Sequence, residues 1–318
     1  MKNRKKIALF SVDTMGGGGT EVWVNNLITT ISSDYEITLI SGSLNPKLKA
    51  HLHKFIHVPC PRKPAFLRVL FFAIISTFIF VDKSSVIHVI GAISFRKSHL
   101  NTIHFYHKEN FRLRQFTIFK STSLLRRLNR TMYTLQNILM ERIIYSNLIT
   151  KQIATVSPEM QSLLIYDLNR EVHLTHNGVM PNRLDSIQPP VQGDYLLFVG
   201  GDWGRKGLED IILALGILKE AKITLNLFIV GHGKRSKYLN LANTLKVLDQ
   251  MIFLGHLEKE SIPYTSDAIL LCASRFEVSP LTFLEAAMAG TPIVSYPVFG
   301  TLEGVNDGYI QICDSNPE

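Results

Sequence analysis

The stretch YLLFVGGDWGRKGLEDIILAL (Tyr195–Leu215) places an apolar run, a glycine-rich turn and a helical pattern in direct succession. Its first five residues are all apolar, which is typical of a strand covered on both faces. IALFSVDTMGGGGTEVWVNNLI (Ile7–Ile28) repeats this order in the first half. We therefore predict two doubly wound α/β domains facing across a cleft, residues 1–178 and 179–318, with the hinge in the Asn-, Pro- and Gly-rich segment His176–Tyr195. Ligands of such sheets bind outside the carboxyl ends of the strands.

Composition points to a globular protein with anionic partners. Of the 318 residues, 46% are hydrophobic and 19% are charged, which is unlike a disordered chain. The net charge of +8 suits polyanions, anionic lipid surfaces or phosphorylated small molecules. Cys60, Cys272 and Cys313 are far apart and show no C-x-x-C spacing, so we expect reduced thiols and neither a disulfide framework nor a metal site.

Two segments bear on membranes. Ala65–Val81 is strongly apolar, but Arg68 interrupts it and it is shorter than the ~20 residues that span a bilayer. We expect a buried helix or an in-plane membrane helix.

The stretch Arg96–Lys151 holds eleven Lys and Arg against two Glu, with interleaved aromatic residues. Since no nucleic-acid recognition motif accompanies this charge, a surface facing an anionic membrane is the better interpretation.

The first glycine-rich turn is MGGGGTEVW (Met15–Trp23). Four glycines allow a close approach of the backbone to a ligand, and the following helix offers free N–H groups, so Gly17 and Gly18 are candidate ligand contacts. Glu21 occupies the place of the third glycine of a dinucleotide fingerprint, which argues against NAD. A merely tight turn between strand and helix is the alternative.

The second turn is GGDWGRKGLED (Gly200–Asp210). Arg205 and Lys206 lie beside backbone amides just before a helix, and this combination suits a diphosphate. Gly201 is a further candidate ligand contact at the end of the strand. The alternative is a solvated basic turn.

SRFEVSPLTFLEAAMAG (Ser274–Gly290) contains two carboxylates, Glu277 in a loop and Glu285 in a helix. Ser279 suits the N-cap and Pro280 the first helical position, and the start of this helix is an anion site. The neighbours of Glu285 are apolar, so its carboxylate needs an ion-pair partner or a ligand, such as two ribose hydroxyls. A glutamate on the exposed helix face is the alternative.

Three histidines follow strands. His104 and His107 lie at the carboxyl end of a strand in the first half, where either could contact a sugar or a transferred proton, and His107 is our candidate catalytic residue. Gly231 and Gly233 flank His232, which suggests an approach of this backbone to a ligand. Packed or surface histidines are the alternatives.

The order of these blocks resembles the retaining glycosyltransferases of the GT-B fold, family 4. The E-x7-E signature of that family is matched by Glu277 and Glu285. The other matching blocks are ATVSPEM, THNGVMPNRLD, FVGGDWGRKGLEDII, LFIVGHG and IFLGHL. Within the family, VGGDWGRKG is most similar to hexosyltransferases of lipopolysaccharide core assembly.

The resemblance implies roles for the residues already singled out. Glu285 would bind the donor ribose and Glu277 would lie by the donor sugar. Arg205 and Lys206 would neutralise the leaving diphosphate, joined by the helix start at Ser279–Leu281. These enzymes typically need no metal and no further cofactor.

Two departures from the family pattern stand out. Many relatives carry a basic residue where Gly201 stands, and Arg205 is the candidate to replace it. Relatives also usually continue for several more helices beyond GYIQICDSNPE, so a truncated C-terminus is expected.

The resulting expectation is transfer of a hexose from a UDP- or GDP-sugar to a cell-surface glycan or lipid-linked acceptor. The enzyme would be cytoplasmic and peripherally associated with the inner face of the cell membrane. A sugar-nucleotide epimerase or phosphorylase on the same scaffold is one alternative. A catalytically impaired, truncated glycan- or membrane-binding module is another.

Overall fold

The computed structural model describes residues 4–113, 124–179 and 193–313. It divides into two compact units, Met1–Asn177 (unit 1) and Gly178–Glu318 (unit 2). Part of the basic stretch, most of the expected hinge and the last five residues lie outside the described residues.

Unit 1 is built on a seven-stranded parallel sheet of order β3-β2-β1-β4-β5-β6-β7. Its strands are β1 (Lys5–Ser11), β2 (Tyr35–Ser41), β3 (Lys54–His57), β4 (Val86–Ile90), β5 (Ser98–Ile103), β6 (Thr150–Thr155) and β7 (His173–Leu174). Its helices are α1 (Gly19–Ile31), α2 (Ala65–Phe78), α3 (His107–Arg112), α4 (Leu124–Ile144) and α5 (Pro158–Leu168), with a 3-10 helix at Pro46–His51.

The apolar run of β1 is covered on both faces, as its sequence predicts. Leu9 packs with Val24 and Ile28 of α1 on one face of the sheet. Phe10, which points to the other face, packs with Phe72 of α2. Each fully buried side chain of this kind contributes roughly 1.5–3 kcal/mol, so α1 and α2 are held to opposite faces of the sheet.

Unit 2 repeats the plan with six parallel strands of order β10-β9-β8-β11-β12-β13. These are β8 (Tyr195–Val199), β9 (Asn226–Val230), β10 (Met251–Gly255), β11 (Ala268–Cys272), β12 (Ile293–Ser295) and β13 (Ile310–Ile312). Its helices are α6 (Leu208–Glu220), α7 (Ser236–Thr244), α8 (Leu281–Met288) and α9 (Thr301–Asn306), with 3-10 helices at Leu248–Gln250 and Lys259–Ser261.

Both sheets reverse their strand order beside their first strand. In unit 2, β8 pairs with β9 on one side and with β11 on the other, so the chain winds outward in both directions. A crevice opens at the carboxyl ends of strands where the order reverses in this way. The doubly wound α/β class is therefore confirmed for both units, and the place to look for a site in unit 2 is the loops after β8 and β11.

Helix α4 buries several polar side chains, beside Met140 and Ile144, and exposes several apolar ones. Thr134, Asn137 and Glu141 are only 2–3% exposed. The opposite side presents an outward apolar face to solvent, formed by Leu128, Met132, Leu135, Leu139 and Ile143. This is the reverse of the usual pattern of a surface helix.

Helix α2 is the apolar segment that the sequence singles out. Val69, Phe72 and Ala73 are buried, whereas Phe71 and Phe78 are exposed. Within the described residues, no helix is both long and apolar enough to cross a membrane. Helix α2 is therefore buried along one side, and its exposed side is apolar as well.

Candidate functional site

The loops that follow β8 and β11 meet at the point where the sheet of unit 2 reverses its order. The backbone N–H of Arg275 donates to the carbonyl of Arg205 at 2.9 Å. Gly207 has a φ of 73°, and a Cβ at this position would lie 2.0 Å from the carbonyl oxygen of Ala273. Only glycine allows this approach, so Gly207 sets the distance between the two loops.

An ion cluster forms where the loops meet. Glu277 Oε1 accepts from Arg205 Nη1 at 2.8 Å and lies 2.6 Å from Lys206 Nζ. Arg205 Nη1 also donates to the carbonyl of Phe276 at 2.8 Å. The side chains of Lys206 and Glu277 are only 15% and 14% exposed. The structure thus brings together three residues that the sequence places in two distant segments.

The cluster carries more positive than negative charge. Two cations face one buried carboxylate, and Asp202, which is 3.9 Å from Arg205 Nε, is largely exposed, where solvent weakens its attraction. Burial alone would raise the pKa of Glu277, but Lys206 and Arg205 together lower it below its ordinary value. Glu277 therefore stays ionised, and the surplus cation is available for an anionic ligand.

Helix α8 begins one residue later than the sequence suggests. We expected Ser279 at the N-cap and Pro280 at the first helical position, but the structure has Pro280 at the N-cap and Leu281 as the first helical residue. The pyrrolidine ring fixes φ at −65° without fixing ψ, which is extended at 121°. The helix still starts shortly after Glu277 in the sequence.

Glu285 is buried in α8 and has partners. Its side chain is 8% exposed, with Oε1 at 2.9 Å from Lys259 Nζ. Tyr264 donates its hydroxyl to Glu285 Oε2 at 3.2 Å. Burial raises the pKa of Tyr264, and Glu285 adds to this, so the phenol stays a donor. Sequence analysis missed both partners, which lie in a 3-10 helix and a loop without a recognisable motif.

The glycines around His232 have close protein neighbours, and the approach of this backbone to a ligand stays a prediction. A Cβ at Gly231 would lie 2.2 Å from the carbonyl oxygen of Gly200, and one at Gly233 would lie 2.3 Å from the Trp203 ring. His232 itself is exposed and its ring stacks on that of His256, with centroids 5.7 Å apart.

The glycines of the two predicted turns differ in their surroundings. A Cβ at Gly18 would lie 2.3 Å from Glu21 Oε2, so the Glu21 side chain occupies the space above the first turn. Gly17 is exposed, and Gly201 has open space where a Cβ would stand. Gly18 thus lies against the flexible end of the Glu21 side chain, whereas Gly201 meets no steric demand from the protein.

Unit 1 contains a cavity of about 300 Å³ at the carboxyl edge of its sheet. Its lining includes Asp13, Glu21, Arg68, His104 and His107. Both candidate histidines thus contribute to one cavity. Asp13 and Glu21 are functional candidates that the sequence patterns did not single out, although Glu21 lies within the first glycine-rich turn and Asp13 lies two residues before it.

Charge in this cavity is predominantly acidic. Asp13 accepts from Arg68 Nη2 at 2.8 Å and from the backbone N–H of Met15 at 3.0 Å, and it also bonds Ser43. Burial opposes ionisation of Asp13, but these partners lower its pKa. Burial raises the pKa of Glu21, and the nearby charge of Asp13 raises it further. One paired cation and two carboxyl groups suit a ligand rich in hydroxyl donors.

The two histidines have different environments. His107 Nδ1 lies 2.8 Å from Glu141 Oε1, a partner supplied by α4. His104 packs on Trp23 with ring centroids 4.4 Å apart, and its Nε2 is buried without a hydrogen-bond partner. Burial lowers the pKa of His104 to about 3, and His88 contributes to this shift. His104 is therefore neutral at physiological pH.

No metal centre is evident in the described part of the chain, where no three His, Cys, Asp or Glu side chains converge in a way that could hold an ion. The charges at the order reversal of unit 2 are instead supplied by side chains of the protein.

Comparison with known proteins finds a family match for unit 2. Residues 182–317 match the model of the glycosyl transferases group 1 family. Unit 2 is therefore similar to a group 1 glycosyltransferase domain. The lipopolysaccharide glucosyltransferase WaaG of Escherichia coli is 31% identical over 140 residues, which are 44% of this chain and 35% of WaaG. The chain matches about a third of the length of such curated relatives.

Solved structures extend the likeness to both units. The crystal structure of WaaG superposes with a TM-score of 0.76 at 19% identity, covering 97% of this chain and 86% of that one. Anabaena HepE in complex with UDP-glucose gives a TM-score of 0.65 at 13% identity, covering 98% and 86%. The chain therefore has the GT-B fold, as the sequence predicts.

The buried histidines make the stability of unit 1 depend on pH. Burial also lowers the pKa of His88 to about 4. The unfolded chain binds protons at these sites below its ordinary histidine pKa of ~6.5, while the folded chain does not. We expect the free energy of unfolding to fall as the pH drops from 6.5 towards 4, by up to about 1.4 kcal/mol per pH unit for each histidine.

Urea unfolding of His104→Phe at pH 7 and pH 5 tests this expectation. The substitution should reduce the loss of stability between the two pH values, because the phenyl ring does not titrate. His53→Phe, which changes an exposed histidine, should keep the full loss. An unchanged pH dependence in His104→Phe would show that His104 does not couple folding to protonation.

Proposed function

We propose that this group 1 glycosyltransferase moves a hexose from a UDP- or GDP-sugar to a hydroxyl of a cell-surface glycan or lipid-linked acceptor, with retention of the anomeric configuration. The observation that carries the proposal is the cluster of Arg205, Lys206 and Glu277 at the order reversal of unit 2. A buried site with surplus positive charge suits a diphosphate, and Arg and Lys are the side chains that bind phosphate groups best.

The residues around the cluster suit the rest of a nucleotide. The N–H groups of Leu281 and Thr282, at the start of α8, are among those that an α-helix leaves without an intrahelical partner, and they are suited to a phosphate oxygen. Glu285 has two protein partners, but a carboxylate offers about four acceptor positions. It can therefore accept from ribose hydroxyls while Lys259 and Tyr264 hold it in place.

The ion cluster also indicates a mechanism. Breaking the bond between the anomeric carbon and the phosphate oxygen places negative charge on the diphosphate, which Arg205 and Lys206 stabilise. Glu277 is a poor nucleophile because two cations already hold its carboxylate. We therefore favour attack of the acceptor hydroxyl on the same face, with its proton passing to the departing phosphate oxygen. In this proposal, side-chain cations take the part of a metal, and no cofactor is needed.

Known relatives support the donor class. WaaG is named a glucosyltransferase, and HepE was crystallised with UDP-glucose. An epimerase would change the sugar of the donor without an acceptor, whereas a transferase needs one. Incubation with the donor alone, followed by analysis of the sugar, separates these two activities. A truncated binding module would bind a donor or an acceptor without forming product.

Calorimetry with UDP and GDP tests the donor site. Glu285→Ala should weaken binding of the preferred nucleotide by about tenfold or more, because the loss of one charge-assisted hydrogen bond costs about 1.5–3 kcal/mol. Glu258→Ala, which removes an exposed carboxylate next to the 3-10 helix that carries Lys259, is the matched control and should bind normally. Thermal melts of both variants exclude unfolding as the cause. Equal nucleotide affinities of Glu285→Ala and the unaltered chain would exclude Glu285 as the residue that binds the ribose.

The acceptor is met at an anionic membrane surface, with the enzyme peripheral on the cytoplasmic side. Two packed helices, α2 and α4, both expose apolar side chains. The outward apolar face of α4 runs beside exposed arginines, Arg127, Arg130 and Arg142. Apolar side chains that enter the headgroup region, together with arginines that attract anionic lipids, are typical of in-plane membrane helices.

Sedimentation with phospholipid vesicles tests this surface. Vesicles containing phosphatidylglycerol should carry the protein down, and Leu135→Glu with Leu139→Glu should reduce the bound fraction severalfold, since charges replace inserted leucines. Ile217→Glu, which changes an exposed residue of α6 in unit 2, should bind like the unaltered chain. Undiminished binding by the double variant would exclude α4 as the docking helix.

A further inference from the structure

A buried glutamate of α4 contacts both the backbone and the ring of His107. The Glu141 side chain is 2% exposed. It accepts from the backbone N–H of His107 at 2.7 Å and from that of Lys108 at 3.1 Å. Its third contact is with His107 Nδ1 at 2.8 Å. The carboxylate thus holds both the start of α3 and the ring of His107.

These contacts select one tautomer of a neutral imidazole. Both oxygens of Glu141 accept a backbone N–H, so the carboxyl group acts as an acceptor on each side. Nδ1 must therefore carry the proton that it donates to Oε1, and Nε2 has a bare lone pair. Within the part of the chain that the structure describes, Nε2 has no hydrogen-bond partner, and His107 lines the unit 1 cavity.

A purely structural role explains only two of the three contacts. A carboxylate at the start of α3 is favourable because it satisfies backbone N–H groups that the helix leaves free. That role does not require the ring of His107 to lie on the same oxygen. Glu141 also continues a stripe of α4, at a spacing of four residues, whose other members, Tyr133 and Asn137, line the cavity.

We propose that Glu141 is a positioning residue: it holds His107 as the Nδ1–H tautomer, so that Nε2 accepts a hydrogen bond from a sugar hydroxyl bound in the unit 1 cavity. The identification of the ligand as a sugar rests on the proposed function. The surroundings fit this ligand class, because Glu21 and Asp13 supply further acceptors and Arg68 is already paired with Asp13. An uncharged, hydroxyl-rich group matches such a cavity better than an anion.

The tautomer is directly observable without any activity. In the full chain labelled with ¹⁵N-histidine, long-range ¹H–¹⁵N spectra distinguish a protonated ring nitrogen from a bare one. The His107 signals are assigned by their loss in His107→Phe. At a pH where the ring is neutral, we expect a protonated Nδ1 and a bare Nε2. A protonated Nε2 in the unaltered chain would overturn the proposal, whether or not sugar transfer is detected.

Glu141→Gln and a matched control test whether Glu141 selects the tautomer of His107. Glu109→Gln removes another buried carboxylate of the same region, one that pairs with Arg112 and does not contact the His107 ring. Glu141→Gln should shift the His107 signals towards the Nε2–H tautomer, while Glu109→Gln should leave them unchanged. If Glu141→Gln does not fold, Glu141→Asp, which keeps the charge but shortens the side chain, takes its place. Unchanged signals in a folded Glu141 variant contradict the proposal.

A double-mutant cycle with sugar transfer as the readout separates positioning from packing. Glu141→Gln should lower kcat/KM by about tenfold or more, in line with other residues that orient a functional histidine. In a His107→Phe background the same change should cost less than about twofold, because there is no imidazole to orient. Equal losses in both backgrounds would mean that Glu141 acts on stability alone. Absence of transfer by the unaltered chain would count against the proposed function and leave the tautomer result standing.

Discussion

The contact between the Gly207 backbone and the carbonyl of Ala273 is the constraint on which the site in unit 2 depends. It lets the loops after β8 and β11 approach closely enough for Arg205 and Lys206 to reach Glu277. Glu277 holds this cluster together, since its removal would leave two neighbouring cations without a counter-charge. The close approach that Gly207 allows thus fixes the positions of the charged side chains.

The two units offer complementary chemistry. Unit 2 concentrates cations and the start of α8 at the order reversal of its sheet, which suits the diphosphate of a donor. Unit 1 surrounds its cavity with acceptors, and its one arginine there is paired with Asp13. Sugars present hydroxyl donors, which suit the acceptors of unit 1. Diphosphates present anionic oxygens, which suit the cations of unit 2.

Sequence patterns predict the fold well because strands covered on both faces are apolar at every position, as in β1 and β8. They also single out Arg205, Lys206 and Glu277, which follow two different strands and which the structure brings together. The partners of Glu285 and His107 are harder to find. Lys259 and Tyr264 lie in segments without periodicity, and Glu141 reaches His107 across 34 residues of chain.

Other differences have local causes. The glycines beside His232 accommodate Gly200 and Trp203, because a pattern of glycines shows that something comes close without showing what it is. The start of α8 differs by one residue since proline fixes φ alone. The buried polar residues of α4 depart from the usual amphipathic pattern, and two residues of this helix, Tyr133 and Asn137, line the unit 1 cavity.

A crystal structure with bound UDP or GDP, whichever binds more tightly, tests whether the ion cluster of unit 2 holds the diphosphate. We expect diphosphate oxygens within hydrogen-bond distance of Arg205 or Lys206, with ribose hydroxyls on Glu285. A nucleotide bound to unit 2 away from these side chains, or diphosphate held without either cation, would contradict it.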